Sequence, residues 1–182
     1  MKNKIKPFYV ISGGPGAGKS TLIETLSKHG YSTVAEQARQ IIKAQLSIEG
    51  EGVHGKDTRL FRELMLAADI RAYEDANRSD TVTFFDRGIV DVLGYSRLMG
   101  LNDESHILGA VHLYRYQPTV LIAPPWKPIY CQDSERRQSF SEAEDTYHAL
   151  SKAYRDMGYE LVELPKVSVD LRLEFLVNEI LR

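Results

Sequence analysis

Residues 13–20 read Gly13-Gly14-Pro15-Gly16-Ala17-Gly18-Lys19-Ser20, a full match to the spacing G-x-x-x-x-G-K-[ST]. The chemistry of such a stretch is phosphate binding. Its glycines let backbone N–H groups converge on an anion with no Cβ in the way. A helix opening near Gly18 aims the positive end of its dipole at the same anion. In this pattern Lys19 reaches the terminal phosphates, the Ser20 hydroxyl ligates Mg²⁺, and Thr21 follows in the phosphate-facing turn. The flanks agree with that reading. Phe8-Tyr9-Val10-Ile11 is an apolar run suited to a buried strand, and the helix that starts at Thr21 has apolar positions at Leu22, Ile23 and Leu26.

Three further groups have the types and positions that phosphate chemistry uses. Asp86 closes the hydrophobic run Thr81-Val82-Thr83-Phe84-Phe85, where a carboxylate can hold Mg²⁺ directly or through water, or cap the next helix. Arg87 comes next, and its guanidinium either clamps a phosphate or pairs with an acid. Glu36, in Thr33-Val34-Ala35-Glu36-Gln37-Ala38-Arg39, stands at the end of a strand across the cleft from the phosphates. A carboxylate there takes the proton of an attacking hydroxyl, or else serves as a first-turn acid favoured by the helix dipole. Arg136 and Arg137 lie in a charged segment and either close over a triphosphate or remain solvated. Trp126 and Tyr130 stack on a substrate ring or anchor that segment. The five histidines make no constellation.

The elements that must position these groups alternate strand and helix, which argues for a parallel sheet with crossover helices. Strands are expected at 8–11, 31–34, 81–85, 119–123 and 159–164. Between them, one helix runs through Ala38, Ile41, Ile42 and Leu46, and a long one capped by Asp57 turns Leu60, Phe61, Leu64, Ala68 and Ala72 inward. Helices follow over roughly 89–99 and 103–115, the second capped by Asp103. A capping box Ser141-x-x-Glu144 starts the next, and Ser168 caps a last helix that carries Leu173, Leu176, Val177 and Ile180 on one face. Pro124, Pro125 and Pro128 stop regular structure after the fourth strand. In sheets of this kind ligands bind beyond the carboxyl ends of the strands, where Glu36, Asp86 and Arg87 all fall.

The composition narrows the classes. The 182 residues suit one domain, with 43% hydrophobic and 26% charged residues. Lys plus Arg total 23 against 25 Asp plus Glu, a net charge of −2, so binding of nucleic acid through a broad cationic surface is not expected. The single cysteine, Cys131, allows neither an intrachain disulfide nor a multi-cysteine metal site. No apolar run approaches the ~20 residues of a membrane span, and no signal peptide is read at the N-terminus. A cytoplasmic protein is expected, and a homodimer stays open.

The phosphate loop, Glu36-Gln37-Ala38-Arg39, Phe85-Asp86-Arg87-Gly88, Ala123-Pro124-Pro125-Trp126 and Asp133-x-Glu135-Arg136-Arg137 together resemble a bacterial group of AAA-type ATPases. That group is similar to the nicotinamide riboside kinase domain of NadR-type proteins and, more remotely, to nucleoside and nucleotide monophosphate kinases. The resemblance covers nearly the whole chain. It implies a three-layer P-loop NTPase fold: a five-stranded parallel sheet with helices on both faces and a short arginine-bearing lid at about 124–141. It also implies ATP and Mg²⁺ as cofactors, Ser20 and Asp86 as metal ligands, Glu36 as base, Arg136 or Arg137 as the lid arginine, and Pro165-Lys166-Val167 against the nucleotide base. Sensor and arginine-finger motifs of ring-forming ATPases are not found, so a remodelling ring is not expected. Two functions remain: transfer of the ATP γ-phosphate to a nucleoside-like hydroxyl, or a slowly hydrolysing nucleotide switch read by a protein partner. With no N-K-x-D motif, ATP is expected over GTP.

Overall fold

Strands whose successive side chains are all apolar must be covered on both faces, and the chain meets that demand with helices above and below one sheet. The computed structural model describes residues 6–130 and 138–180. Strands β1 (Phe8–Gly13), β2 (Ser32–Val34), β3 (Thr83–Asp86), β4 (Thr119–Ala123) and β5 (Glu160–Glu163) are all parallel and lie in the order β2-β3-β1-β4-β5. The helices are α1 (Lys19–Lys28), α2 (Gln37–Ser47), α3 (Thr58–Ala76), α4 (Ile89–Leu98), α5 (Ser105–Leu113), α6 (Phe140–Asp156) and α7 (Val169–Ile180).

Strand alternation divides the core. Phe8, Val10, Phe85 and Val120 face a layer built from α3, α4, α5 and α6. Ile11, Phe84, Leu121 and Ala123 face α1 and α7. The expected three-layer fold with a five-stranded parallel sheet is therefore the one observed. Central β1 ends in the glycine loop, and its register sets Asp86 beside Ile11 and Ala123 beside Gly13. The strand ends that carry chemistry are thus brought to one edge of the sheet. No helix among the described residues is long and apolar enough to cross a membrane.

Three local expectations are corrected. In α3 Phe61 is buried as expected, but Leu60 is exposed and Leu64, Ala68 and Ala72 are half-buried, while Arg62, Met65, Leu66 and Tyr73 complete the buried face. Helix α6 starts two residues early: its capping box is Ser139 with Glu142, Ser139 Oγ accepting from the Glu142 N–H at 3.2 Å, and not Ser141 with Glu144. Asp103 does not cap α5, whose first flanking residue is Glu104. Asp103 instead takes both Nε and an NH2 of Arg97, at 3.1 and 2.7 Å. Elsewhere Asp57 caps α3 as expected, accepting from the Leu60 N–H at 2.8 Å.

Helices α4 and α6 approach closely because Gly94 has no side chain. A Cβ there would lie 2.6 Å from Leu150 Cδ2 and 3.1 Å from the Leu150 α-carbon. Gly94→Val is expected to destabilise the fold by about 1–3 kcal/mol through overpacking, read as a lower urea midpoint with unchanged slope.

Candidate active site

The phosphate loop turns as tightly as it does because of its glycines. Gly13 has φ +132°, and a Cβ on it would sit 2.3 Å from the Ala123 carbonyl oxygen. Gly18, in the left-handed region at φ +80°, leads into α1. Lys19 is buried, and its ammonium donates to the carbonyls of Gly13 (3.1 Å) and Gly14 (2.7 Å). The cation that would meet the terminal phosphates is therefore held inside the loop. Tyr130 lies against Gly16, packs edge-on against Phe140 and donates its hydroxyl to the Gln138 carbonyl. It thus ties the start of α6 to the loop.

Behind the loop, Ser20 Oγ donates to Asp86 Oδ2 at 3.0 Å. Asp86 is buried, and its Oδ1 has no hydrogen-bond partner. Burial first, and then the charge of Glu36, raise the Asp86 carboxyl above its usual range, while Lys19, Arg87 and the Ser20 hydroxyl pull it back. A buried acceptor left unsatisfied costs about 1–3 kcal/mol. A carboxylate with one such oxygen beside a serine hydroxyl is the hard oxygen donor set that Mg²⁺ takes, so these residues fit the metal the fold implies.

Glu36 follows β2 and precedes α2, yet its side chain does not cap that helix. Its Oε1 accepts from Arg87 Nε at 2.9 Å. Arg87 also donates from NH1 to Asp91 Oδ1 at 3.0 Å. Of the two alternatives for Arg87, pairing with acids is the contact present. Burial works against its charge, but Glu36, Asp91 and Asp86 more than offset that and raise its pKa. The Arg87 backbone is held at φ +71°, a conformation L-residues seldom adopt. Asp91, in the first turn of α4, completes the network. Its Oδ1 also accepts from Ser12 Oγ (2.6 Å), and its Oδ2 from the Gly88 N–H (2.9 Å) and the Tyr154 hydroxyl (2.5 Å).

Two cavities flank the phosphate loop. The first, about 480 Å³, is lined by residues 16–21 of the loop, by Trp126, and by Val167 and Arg172. Val167 lines this cavity, whereas Lys166 is exposed and outside the lining. The second, about 650 Å³, is lined by Pro15, Glu36 and Arg87, by apolar residues including Ile42, Phe61 and Tyr95, and by Asp69 and Asp91. Arg87 belongs to this second cavity and not to the first. Arg136, Arg137 and Cys131 lie outside the described residues.

Some site residues escape a reading of the sequence. Arg172 donates to the carbonyls of Pro165 and Ala17, both at 2.8 Å, and places its guanidinium 5.0 Å from the Trp126 ring centroid. Its signal is an arginine on the apolar stripe Val169-Arg172-Leu173-Leu176. Asp69 has a similar signal: one acid in the fourfold-spaced series Phe61-Met65-Asp69-Tyr73. Asp91 and Ser12 leave no such trace.

The AAA domain family model matches residues 8–172, and the chain belongs to that family. No curated protein matches significantly. Among solved structures, deoxyadenosine kinase from M. mycoides with dCMP and a flexible dCDP bound is 15% identical, with a TM-score of 0.68 over 94% of this chain and 97% of that one. NadR protein in complex with NAD and AMP-PNP is 16% identical with a TM-score of 0.72; the match covers 97% of this chain but 49% of NadR, so the chain spans about half of its length. Thymidylate kinase from Ehrlichia chaffeensis is 13% identical, with a TM-score of 0.63 over 98% of this chain and 100% of that one. At these identities the likeness is one of fold, the P-loop fold of nucleoside and nucleotide kinases.

Removing Arg87 strands two carboxylates. Arg87→Leu is expected to cost about 3–5 kcal/mol, the usual penalty for breaking a buried pair from one side, measured by urea unfolding. Lys166→Ala, at an exposed position, is expected to leave the unfolding midpoint unchanged.

Proposed function

From its membership of the AAA domain family, we propose that the chain is a cytoplasmic kinase that transfers the ATP γ-phosphate to a hydroxyl of a small, nucleoside-like acceptor. The observation that carries this reading is that the phosphate loop is a shared wall: residues 16–21 line one cavity and Pro15 the other. A nucleotide in the first cavity would direct its γ-phosphate toward a molecule in the second, where Glu36 stands. That arrangement suits direct transfer between two bound molecules better than hydrolysis alone.

Each residue then has a role. The loop backbone and Lys19 bind the phosphates, with Lys19 leaving the Gly13 and Gly14 carbonyls for the γ-phosphate. Ser20 and Asp86 would hold Mg²⁺, which neutralises phosphate charge when bound. Arg172 and Trp126 line the nucleotide cavity next to the loop, with Val167 beside the base. Arg87 fixes the rotamer of Glu36. Glu36 takes the proton of the acceptor hydroxyl, that oxygen forms the new bond to the γ-phosphorus, and the bond to the β–γ bridging oxygen breaks, releasing ADP. Residues 124–141 serve as the lid, with Arg136 or Arg137 supplying charge over the phosphates as it closes.

The test is incubation of the purified protein with Mg²⁺-ATP and pooled nucleosides and vitamin precursors, with products read by mass spectrometry. One acceptor is expected to gain a phosphate, with none formed in EDTA. Glu36→Gln is expected to lower that rate by about 10²–10⁴-fold while ATP binding is kept. Tight ATP binding with no phosphorylated product from any acceptor overturns the proposal and leaves the switch reading in its place.

A further inference from the structure

The second cavity holds more acid than a base for transfer requires. Glu36, Asp69 and Asp91 all line it, and Arg87 is already paired with the first and last of these. The other basic residues of its lining, His54 and Lys56, are exposed in the loop before α3, where Lys56 approaches Glu51 at 3.5 Å. Asp69 comes from α3, one turn beyond Met65, so it projects from the same face as the buried Phe61 and Met65. Among the described residues no hydrogen bond or ion pair reaches its carboxyl. The neighbouring hydroxyl of Tyr116, which accepts from the Ile89 N–H at 3.3 Å, makes no hydrogen bond to it among the described residues either.

An unpartnered acid on the wall of an apolar cavity is costly to the free protein, and a ligand that supplies a donor removes the cost. Resting on the reading of this cavity as the acceptor site, we infer that Asp69 selects the acceptor: its carboxyl hydrogen-bonds a polar group of a nucleoside, while the Glu36 and Asp91 carboxylates beside it repel acceptors that already carry a phosphate. Two observations bear on this independently of the transfer reaction. The first is the missing partner of Asp69. The second is the charge balance of the wall, in which a phosphomonoester of charge near −2 would meet Glu36, Asp91 and Glu142, against Arg87, which the first two already occupy, and the exposed Lys56. Burial and the charges of Asp91 and Glu36 push the Asp69 carboxyl well above its usual range, with Arg87 pulling the other way. The aromatic edge of Phe61 and Tyr95, with ring centroids 5.6 Å apart, offers a surface for a flat base in the same cavity.

The test separates binding from transfer. Calorimetry with AMP-PNP and Mg²⁺ present compares a panel of ribonucleosides and deoxynucleosides with their 5′-monophosphates, on the native protein, Asp69→Asn and Asp69→Ala. A nucleoside is expected to bind at least about tenfold tighter than its monophosphate, Asp69→Ala to weaken the nucleoside about 10–100-fold, the cost of a polar group left unpaired, and Asp69→Asn, which keeps one carbonyl acceptor, to weaken it less. AMP-PNP affinity is expected to stay the same, since Asp69 does not line the nucleotide cavity. Should Asp69→Ala lose AMP-PNP binding through misfolding, the isosteric Asn variant decides. Monophosphates binding as tightly as nucleosides, variants binding nucleosides as the native protein does, or no nucleoside binding at all would each overturn the inference. Nucleoside binding that depends on Asp69, without phosphorylated product, upholds it and refutes the kinase reading instead.

Discussion

The Asp91 carboxylate, buried at the start of α4, is the point at which the two halves of the site are joined. It accepts hydrogen bonds from Ser12 on β1, from the Gly88 backbone, from Tyr154 on α6 and from Arg87. A buried charge is tolerable only when paired and fully hydrogen-bonded, and Asp91 is both. In satisfying that one group, the fold fixes where β1 ends, how α4 leaves β3 and how α6 crosses α4. The same contact holds Arg87, whose Nε then orients Glu36. A residue that touches neither cavity's reacting groups thereby sets the position of the proposed base. The left-handed backbone at Arg87, a conformation that costs about 1–3 kcal/mol, coincides with these two ion pairs.

Charge is distributed unevenly across the loop. On the nucleotide side Lys19, the loop N–H groups, the α1 dipole and Arg172 are positive or donating, which suits a polyphosphate. On the other side carboxylates prevail. The two cavities therefore favour opposite ligands. Asp86, with Oδ1 unsatisfied, lies near the boundary between them, close enough to feel both Lys19 and Glu36. In the proposed reaction that division would keep the donor and the acceptor of the phosphate from exchanging places.

Local chemistry was legible in the sequence, and long-range pairing was not. The glycine loop announces itself because its function lies in consecutive residues and in the backbone geometry they permit. The strands were legible too, since burial on both faces demands continuous apolar runs such as Thr119-Val120-Leu121-Ile122-Ala123. Glu36 and Asp86 were visible as acids at strand ends. What Glu36 does with its side chain was not, because its partner lies 51 residues away. Asp91 was hidden for the same reason: its contacts with Ser12 and Tyr154 span 79 and 63 residues. The shifted α6 cap reflects two serines, Ser139 and Ser141, each followed by Glu at the third position, so spacing alone does not choose between them. The inward face of α3 was misjudged because Arg62 and Asp69 interrupt its apolar stripe. Arg62 is buried by pairing with Glu63 and Glu104, and the half-buried Asp69 faces a cavity.

The central claim is that a nucleotide and an acceptor meet across the phosphate loop, with Glu36 between them. A crystal structure of the protein with AMP-PNP, Mg²⁺ and the acceptor found by product analysis tests it most directly. The account predicts the γ-phosphate at Lys19 and the acceptor hydroxyl within hydrogen-bonding distance of Glu36, with the Arg87–Glu36 pair intact. An acceptor bound elsewhere, or a γ-phosphate turned away from the second cavity, would contradict it.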